Sequence, residues 1–340
     1  MAGPFYVDGD VGADGNAGTS EGVGNAWASL EKLADTIAAG EIGYVKSSIT
    51  YTATDSGAGT SCNMELTENG NNANYIQIIG YSSTIADNGV VTVDADANSH
   101  VNALQGSGTQ SYKFKNFRFT GASGHAVASG AGMKYENCRA DNSDDGFNGA
   151  NNLSFYNCLA DNNAGSGFYT TGNDNIYIHV ISHTNTEYGI FQGTGHAPII
   201  GCLIYNNTGN FAAIYANAWT YPYVVYGCSI DKDNGSGGNE RCIQQNQSAS
   251  GGFMAVNNIL FDANEGIYIA GTNYHGDIND GNLFYSNTTD RTNASTGDND
   301  ISGSSDPFTA SATRDYSLKS GSEAIDAGVS VQTCLDFWGL

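Results

Sequence analysis

The chain has 340 residues, of which 40% are hydrophobic and 14% charged, and 35 acidic against 12 basic residues give it a net charge of −23. This balance repels nucleic acid and anionic membranes, which excludes a nucleic-acid partner. No apolar run approaches the roughly 20 residues of a membrane span, and Met1 is followed by acidic, Gly-rich sequence in place of a signal peptide.

Near the N-terminus, an amphipathic helix is predicted over residues 25–39, ahead of a first strand at 43–45. Gly40 follows the helix as a stop signal. Its apolar side chains recur at helical spacing: Trp27, Leu30, Leu33, Ala34 and Ile37. We expect this helix to cover the end of the strands that follow, because a stack of strands otherwise exposes its terminal core.

From residue 115 onward, a short phrase recurs every 20 to 30 residues. The residues that precede its apolar or cysteine position are Asn116, Asn137, Asn157, His179, Gly201, Gly227, Asn257 and Gly281, at spacings of 21, 20, 22, 22, 26, 30 and 24. Short alternating apolar runs between turn residues indicate strands, and a period near 22 is typical of a solenoid. The repeat predicts an all-β fold, a right-handed parallel β-helix of about 8–10 coils.

The solenoid is predicted to be one continuous domain. Residues 1–50 are assigned to an N-terminal cap, residues 51–290 to the β-helix coils, and residues 291–340 to an irregular closing coil. Within the last segment, strand-like patterning resumes at 315–318 and 324–328 after a polar stretch.

Four of the seven cysteines occupy one column of the repeat: Cys138, Cys158, Cys202 and Cys228, in company with Phe117, Val180 and Ile259. The apolar company predicts buried thiols. Parallel side chains on strands about 4.8 Å apart do not point at each other as a disulfide requires. We therefore expect free thiols and a chain made in a reducing cytoplasm without a signal peptide.

Both ends of the chain resemble the pectate-lyase-like β-helix proteins. The similarity includes residues 6–8, the stretch 12–18 with Asp14 and Asn16, the segments 27–33 and 44–45, and the closing segments 316–318 and 322–328. It covers nearly the whole chain and implies the fold. The superfamily includes polysaccharide lyases, glycoside hydrolases, epimerases, phage tail spikes and non-catalytic surface proteins, so the fold does not fix an activity.

A sharper local similarity lies at 138–148, which resembles the calcium-binding segment of family 9 pectate lyases. Asp144 and Asp145 match an aspartate pair of that family, and Asn148 stands where the family has a third aspartate. The resemblance implies a Ca²⁺ site at these three residues. The family's further aspartate has no counterpart near 120–121, and its catalytic lysine has none in the later turns. The alternative is an Asx-type turn.

The densest acidic constellation among the repeats consists of Asp141, Asp144, Asp145 and Asp161. Asp141 and Asp161 fall in one column of adjacent coils, roughly 5 Å apart by strand spacing. A glycoside hydrolase needs two carboxylates about 5–9.5 Å apart, so these four residues are the candidate catalytic groups. The alternative is a solvated acidic stripe, because Asp231 continues the column three coils on.

Aromatic residues cluster in one of the longest segments between repeats. Tyr215, Trp219 and Tyr221 are the candidate carbohydrate-binding residues there, because flat amphipathic rings suit the faces of sugars. The alternative is local packing, which is the expected role of the neighbouring Tyr223 and Tyr226.

Two classes of function stay open. The first is a virion- or surface-associated β-helix, of the tail spike, fibre or decoration type, that binds a polysaccharide or cell-surface glycan or serves as a rigid scaffold. Its partners would be other virion proteins or two further copies of the chain. The absence of a signal peptide, the reduced cysteine column and the incomplete catalytic set favour it. The alternative is a polysaccharide-degrading enzyme, a lyase or a hydrolase, that uses the corner from Asp141 to Asp161.

Overall fold

The computed structural model describes residues 4–52, 62–71, 73–95, 100–209, 211–217, 223–233, 240–246, 252–270 and 277–330. Within these residues, three parallel sheets of eleven, ten and eleven strands enclose one hydrophobic core. Successive coils contribute one strand to each sheet in turn. The predicted parallel β-helix is confirmed, and it is slightly longer than the 8–10 coils expected.

Sheet A consists of β1 (Phe5–Val7), β2 (Ile42–Lys46), β5 (Ile76–Tyr81), β8 (Tyr112–Lys115), β11 (Lys134–Glu136), β14 (Ser154–Tyr156), β17 (Ile176–Ile178), β20 (Ala197–Ile200), β23 (Tyr223–Tyr226), β26 (Phe253–Val256) and β29 (Ile278–Asp280). Sheet B consists of β3 (Thr50–Tyr51), β6 (Val91–Asp94), β9 (Phe117–Thr120), β12 (Arg139–Asp141), β15 (Leu159–Asp161), β18 (Ile181–His183), β21 (Leu203–Tyr205), β24 (Ser229–Asp231), β27 (Ile259–Phe261), β30 (Leu283–Tyr285) and β32 (Ile301–Ser302). Sheet C consists of β4 (Cys62–Glu65), β7 (Asn102–Gln105), β10 (Val127–Ser129), β13 (Phe147–Gly149), β16 (Phe168–Thr170), β19 (Ile190–Gln192), β22 (Ile214–Ala216), β25 (Arg241–Asn246), β28 (Glu265–Ala270) and β31 (Thr289–Thr292). Parallel pairing thus reaches into both 1–50 and 291–340, and the predicted division into cap, coils and closing coil stays a prediction.

The corner between sheets A and B sets the register of the repeat. All eight anchor residues identified in the sequence have a positive φ, from 51° at Asn157 to 65° at Gly281. Asn and Gly tolerate this left-handed conformation better than most residues do. His179 adopts it as well, at 53°. Because these eight coils turn at the same point, the strands that follow pair in step.

The core is filled by side chains stacked from coil to coil. The rings of Phe114, Tyr135, Phe155 and Tyr177 form one such stack, with centroids 5.9, 5.5 and 5.3 Å apart. Apolar rings buried in register contribute both their area and their stacking geometry to stability.

The cysteine column lies inside this core. Cys138, Cys158, Cys202 and Cys228 are buried and free, as predicted. The prediction that Ile259 continues the column is wrong. Ile259 is the register partner of Ser229, the residue after Cys228. Asn258 follows Cys228 instead, and its side-chain oxygen accepts a hydrogen bond from the Cys228 amide at 2.9 Å.

Buried asparagines form a hydrogen-bonded ladder at the corner between sheets B and C. The Asn163 side-chain amide donates to Asn185 Oδ1 at 2.8 Å, and the Asn185 amide donates to Asn207 Oδ1 at 2.9 Å. The side-chain oxygens of Asn163, Asn185 and Asn207 also accept hydrogen bonds from backbone N–H groups of the preceding coil. The donors are the amides of Ser143, Asn163 and Asn185, respectively. The ladder therefore satisfies polar groups that a turn buried in the core would otherwise leave unpaired.

The helix predicted over 25–39 is not confirmed at that length. The helix that forms, α1, spans Leu30–Ala34, with Ser29 Oγ accepting from the Lys32 amide as its N-cap. It cannot begin earlier because the backbone of Trp27 bonds to Tyr6 and Asp8 beside strand β1. Its buried side chains join the core cluster.

The chain described after β32 folds back over sheet B. Strands β33 (Phe308–Ala310) and β34 (Asp315–Leu318) form an antiparallel hairpin around a 3₁₀ turn, Ser311–Thr313. The Tyr316 ring lies 5.0 Å from that of Tyr205. The predicted strand-like segment at 324–328 consists of turns and bends. No helix within the described residues is long and apolar enough to cross a membrane.

Candidate functional site

The column that carries Asp141 and Asp161 lies on the outer face of sheet B. The two residues are direct partners in strands β12 and β15, as predicted, and both are buried. Two arginines, which sequence reasoning missed, cover these carboxylates and form ion pairs with them. Arg118 Nε lies 2.9 Å from Asp141 Oδ2, and Arg139 contacts both Asp141 and Asp161. A solvated acidic stripe is therefore not what the structure contains; the carboxylates alternate with guanidinium groups.

Asp144 and Asp145 lie in the turn that leads from β12 to β13, and their environments differ. Asp144 is exposed, whereas Asp145 is buried. Asp145 Oδ1 accepts from the Ser166 amide at 2.8 Å, and Oδ2 accepts from the Asn148 side chain at 2.9 Å. His125 Nδ1 lies 3.2 Å from the same Oδ2. Both oxygens of Asp145 are thus occupied by protein donors.

These contacts bear on the predicted Ca²⁺ site at Asp144, Asp145 and Asn148. The Asn148 amide nitrogen faces Asp145, so this side chain serves there as a donor, while Ca²⁺ requires several oxygen ligands. Among the described residues, no group of three or more His, Cys, Asp or Glu side chains is placed to hold a metal ion. The residues present do not fit a Ca²⁺ site in this arrangement, and the assignment stays a prediction.

A second carboxylate lies close to Asp145, and sequence reasoning missed it. Glu187 Oε2 accepts from the buried Ser166 hydroxyl at 3.4 Å, so Glu187 and Asp145 both contact Ser166. Burial, together with the charges of Asp145 and Asp144, raises the pKa of Glu187 above its ordinary value. Burial also acts to raise the pKa of Asp145, but the interactions with His125, Ser166 and Asn148 outweigh it and lower that pKa.

An aromatic cluster, here called the aromatic patch, lies on the outer face of sheet C beside Glu187. It consists of Tyr169, Tyr188, Phe191, Phe211 and Tyr215. Tyr169, Phe191 and Tyr215 are register partners on β16, β19 and β22. Their rings stack nearly parallel, with centroids 4.4 and 5.3 Å apart.

The remaining two rings of the patch come from the corners before β19 and β22. Tyr188 is tilted by 50° to Tyr215, and Phe211 is tilted by 48° to Tyr188. Stacked rings cover one another's faces, so the stack presents edges and the tyrosine hydroxyls. The tilted rings can present a face, and the Phe211 side chain belongs to a residue that is 39% exposed.

Of the three predicted carbohydrate-binding residues, Tyr215 belongs to the aromatic patch. Trp219 and Tyr221 lie outside the described residues. The sequence contained a signal for two further residues of the patch, Tyr169 and Phe191. Each of Tyr169, Phe191 and Tyr215 stands two residues after the small residue, Gly or Ala, that directly precedes a sheet C strand in successive repeats.

Comparisons with known proteins agree with the fold. No family model matches the sequence, and no curated protein matches it. Among solved structures, the pectate lyase Pel9A is similar with a TM-score of 0.66 and 16% identity, over 97% of this chain and 92% of that one. A rhamnogalacturonan lyase is similar with a TM-score of 0.53 and 17% identity, over 84% and 74%. The Dettilon tailspike protein has a TM-score of 0.46 and 12% identity, over 78% and 59%. The first two similarities show that the chain has the pectate-lyase-like parallel β-helix fold, as the resemblance implied.

Proposed function

We propose that this protein is a glycan-binding β-helix of a virion or extracellular surface and that the aromatic patch is its binding site. The observation that carries the proposal is the set of tilted rings, Tyr188 and Phe211, on the outside of an otherwise polar coil corner. Aromatic rings with one polar end suit sugars, which have apolar faces and hydroxyl edges. The buried free cysteines support synthesis in a reducing compartment.

The stack beneath the tilted rings makes the site rigid. Tyr169, Phe191 and Tyr215 are held by strands that pair in register, so a glycan meets a preformed surface and little side-chain entropy is lost on binding. Because coils repeat along the solenoid axis, a linear polysaccharide running along that axis can contact several coils at once.

A glycan array combined with a turnover assay tests this proposal. We expect at least one polysaccharide to bind, and Phe211→Ala or Tyr188→Ala to weaken that binding about tenfold, as is common for an aromatic anchor. Tyr156→Ala is a matched control, because Tyr156 is 44% exposed on sheet A. Failure of every glycan to bind, or wild-type affinity in both patch variants, would refute the proposal.

The second candidate function is polysaccharide hydrolysis, and one observation favours it. Asp145 and Glu187 contact the same serine, and their pKa values are shifted in opposite directions. Paired carboxylates of this kind divide the roles of a glycosidase. Glu187 would donate a proton to the glycosidic oxygen, and Asp145 would attack the anomeric carbon or activate water.

Release of new reducing ends from the bound polymer would demonstrate hydrolysis. Glu187→Gln and Asp145→Asn should each abolish it if this pair carries the reaction. The predicted corner at Asp141 and Asp161 is tested in the same assay with Asp141→Asn. Activity that survives the first two variants and is lost in the third would assign the chemistry to sheet B.

A further inference from the structure

We infer that the polysaccharide bound at the aromatic patch is built of uncharged sugars and that carboxylates beside the patch exclude uronate polymers. The inference rests on the proposed function and adds the class of ligand. Its basis is the charge distribution around the five rings.

Carboxylates line the corner from which the tilted rings project. Asp144, Gly165 and Glu187 stack on three successive coils, joined by backbone hydrogen bonds from the Gly165 amide to Asp144 and from the Glu187 amide to Gly165. Gly165 has no side chain, so no side chain of this column lies between the Asp144 and Glu187 carboxylates. Tyr188 follows Glu187 directly in the chain.

The charges of these groups reach the rings. The pKa of Tyr169 is raised by burial and then by the charges of Asp145 and Glu187. Burial, followed by Tyr215 and Glu187, raises the pKa of Tyr188 to about 12. Glu187 contributes to both shifts through its charge, so a sugar carboxylate beside these hydroxyls is repelled, whereas a neutral sugar hydroxyl is not.

Basic side chains near this corner already have partners among the described residues. The buried Lys232 donates to the carbonyls of Asn207 and Gly209. His125 lies against Asp145. Arg118 and Arg139 pair with Asp141 and Asp161 on sheet B. A uronate would thus have to approach two carboxylates and displace an existing partner of a basic side chain to obtain a cation.

The expected discrimination follows from Coulomb's law. In water, one unit charge about 6 Å from a sugar carboxylate weakens binding about threefold, so two such charges weaken it about tenfold. Salt reduces this effect, because the Debye length falls from about 10 Å at 0.1 M to about 3 Å at 1 M.

The test uses soluble glucan, galactan, xylan and mannan, each in native and in carboxymethylated form. At low salt, we expect the wild-type protein to bind the native form of its preferred polymer about tenfold more tightly than the carboxymethylated form. This ratio of affinities, here called the gap, should shrink as salt is added. Glu187→Gln should narrow the gap by about threefold. Asp298→Asn is the matched control and should leave the gap unchanged. Asp298 is an exposed residue after β31. Its coil lies four strands, or about 19 Å by strand spacing, from the coil of Glu187.

Each outcome is decisive. Equal or tighter binding of the carboxymethylated polymer, or a gap that Glu187→Gln leaves unchanged, would overturn the inference while leaving glycan binding intact. Absence of binding to both forms of all four polymers and to the glycan array would overturn the proposed function itself.

Discussion

Arg139 clamps Asp161 of the following coil: Nε lies 2.9 Å from Oδ1, and Nη2 lies 2.8 Å from Oδ2. One coil earlier, Arg118 binds Asp141 in the same bidentate manner through Nε and Nη2. Such bidentate pairs are among the stronger hydrogen-bonded contacts in proteins. They join successive coils on the outer face of sheet B, where the sequence indicated carboxylates without basic partners.

Arg139→Gln should therefore destabilise the protein by about 1–3 kcal/mol, because it leaves the buried Asp161 carboxylate without its partner. The figure lies below that for a fully buried pair, since the arginine side chain is partly exposed. Urea unfolding measures the change. Lys319→Gln, which removes a partly exposed ammonium that donates to the Ser305 hydroxyl, should stay within about 0.5 kcal/mol of wild type. Equal stability of the two variants would show that the clamp contributes little.

Asp231 should make the stability of the protein depend on pH. Burial, aided by Asp233 and Asp262, raises its pKa to about 6 although Tyr316 donates a hydrogen bond to it. Between the unfolded pKa, near 4, and pH 6 the folded state binds more protons, so stability falls as pH rises through this window.

The size of this effect can be isolated with Asp231→Asn, which mimics the protonated group. From pH 7 to pH 5, the wild-type protein should gain about 1 kcal/mol more in free energy of unfolding than the variant does. Chemical denaturation of both proteins at each pH measures this difference. Parallel pH profiles would contradict the assigned pKa direction.

Asn185 should be among the most sensitive positions in the chain. Asn185→Ala removes the acceptor of Asn163 and the donor to Asn207, leaving buried polar groups unpaired at about 1–3 kcal/mol each. We expect a loss of about 3 kcal/mol in thermal or urea unfolding. Asn173→Ala, at an exposed position, is the control. A small effect at Asn185 would mean that water replaces the ladder.

Thiol chemistry should report on the core. Burial raises the pKa of Cys158 and Cys202 well above the ordinary value, and only thiolates react readily. We expect slow labelling of the native protein by a thiol reagent, and recovery of all six described free cysteines after denaturation. Native disulfides between Cys138 and Cys158, or between Cys202 and Cys228, would contradict both the register and the reducing compartment.

Leu33→Asp tests whether the short helix α1 covers the first coils. Leu33 is fully buried, and its methyl groups lie against Gly43 of β2. An unpaired carboxylate there should cost several kcal/mol, measured as a drop in melting temperature. Thr36→Asp, two residues past the helix and exposed, should melt close to wild type. If both variants melt together, the helix does not protect the core.

The sequence predicted the coils well because one backbone conformation marks every repeat. Asn137 and Gly201 turn at the same corner for the same steric reason, so the alignment on such residues places Cys138 and Cys202 correctly. The alignment was wrong at Ile259, because the other members of the column are apolar and Ile259 was therefore chosen over its neighbour Asn258. Asn258 is polar, yet its amide is satisfied inside the turn.

The candidate site could be predicted less completely, because it depends on how neighbouring coils face each other. Asp141 and Asp161 were placed correctly in one column, but pairing with arginines depends on side-chain direction between strands. Glu187 and Tyr188 carry no motif, and they become part of a site because β16, β19 and β22 bring their corners together.

The fixed corner between sheets A and B also has a consequence for how this protein can change. Between Asn116 and Gly281 the length of the repeat varies between 20 and 30 residues, yet the strands on either side of that corner stay in step. Additional residues are therefore accommodated in the other two turns. Insertions there can diversify the surface of a coil without disturbing its neighbours, so loops of new sequence can be grafted beside the aromatic patch while the scaffold is retained.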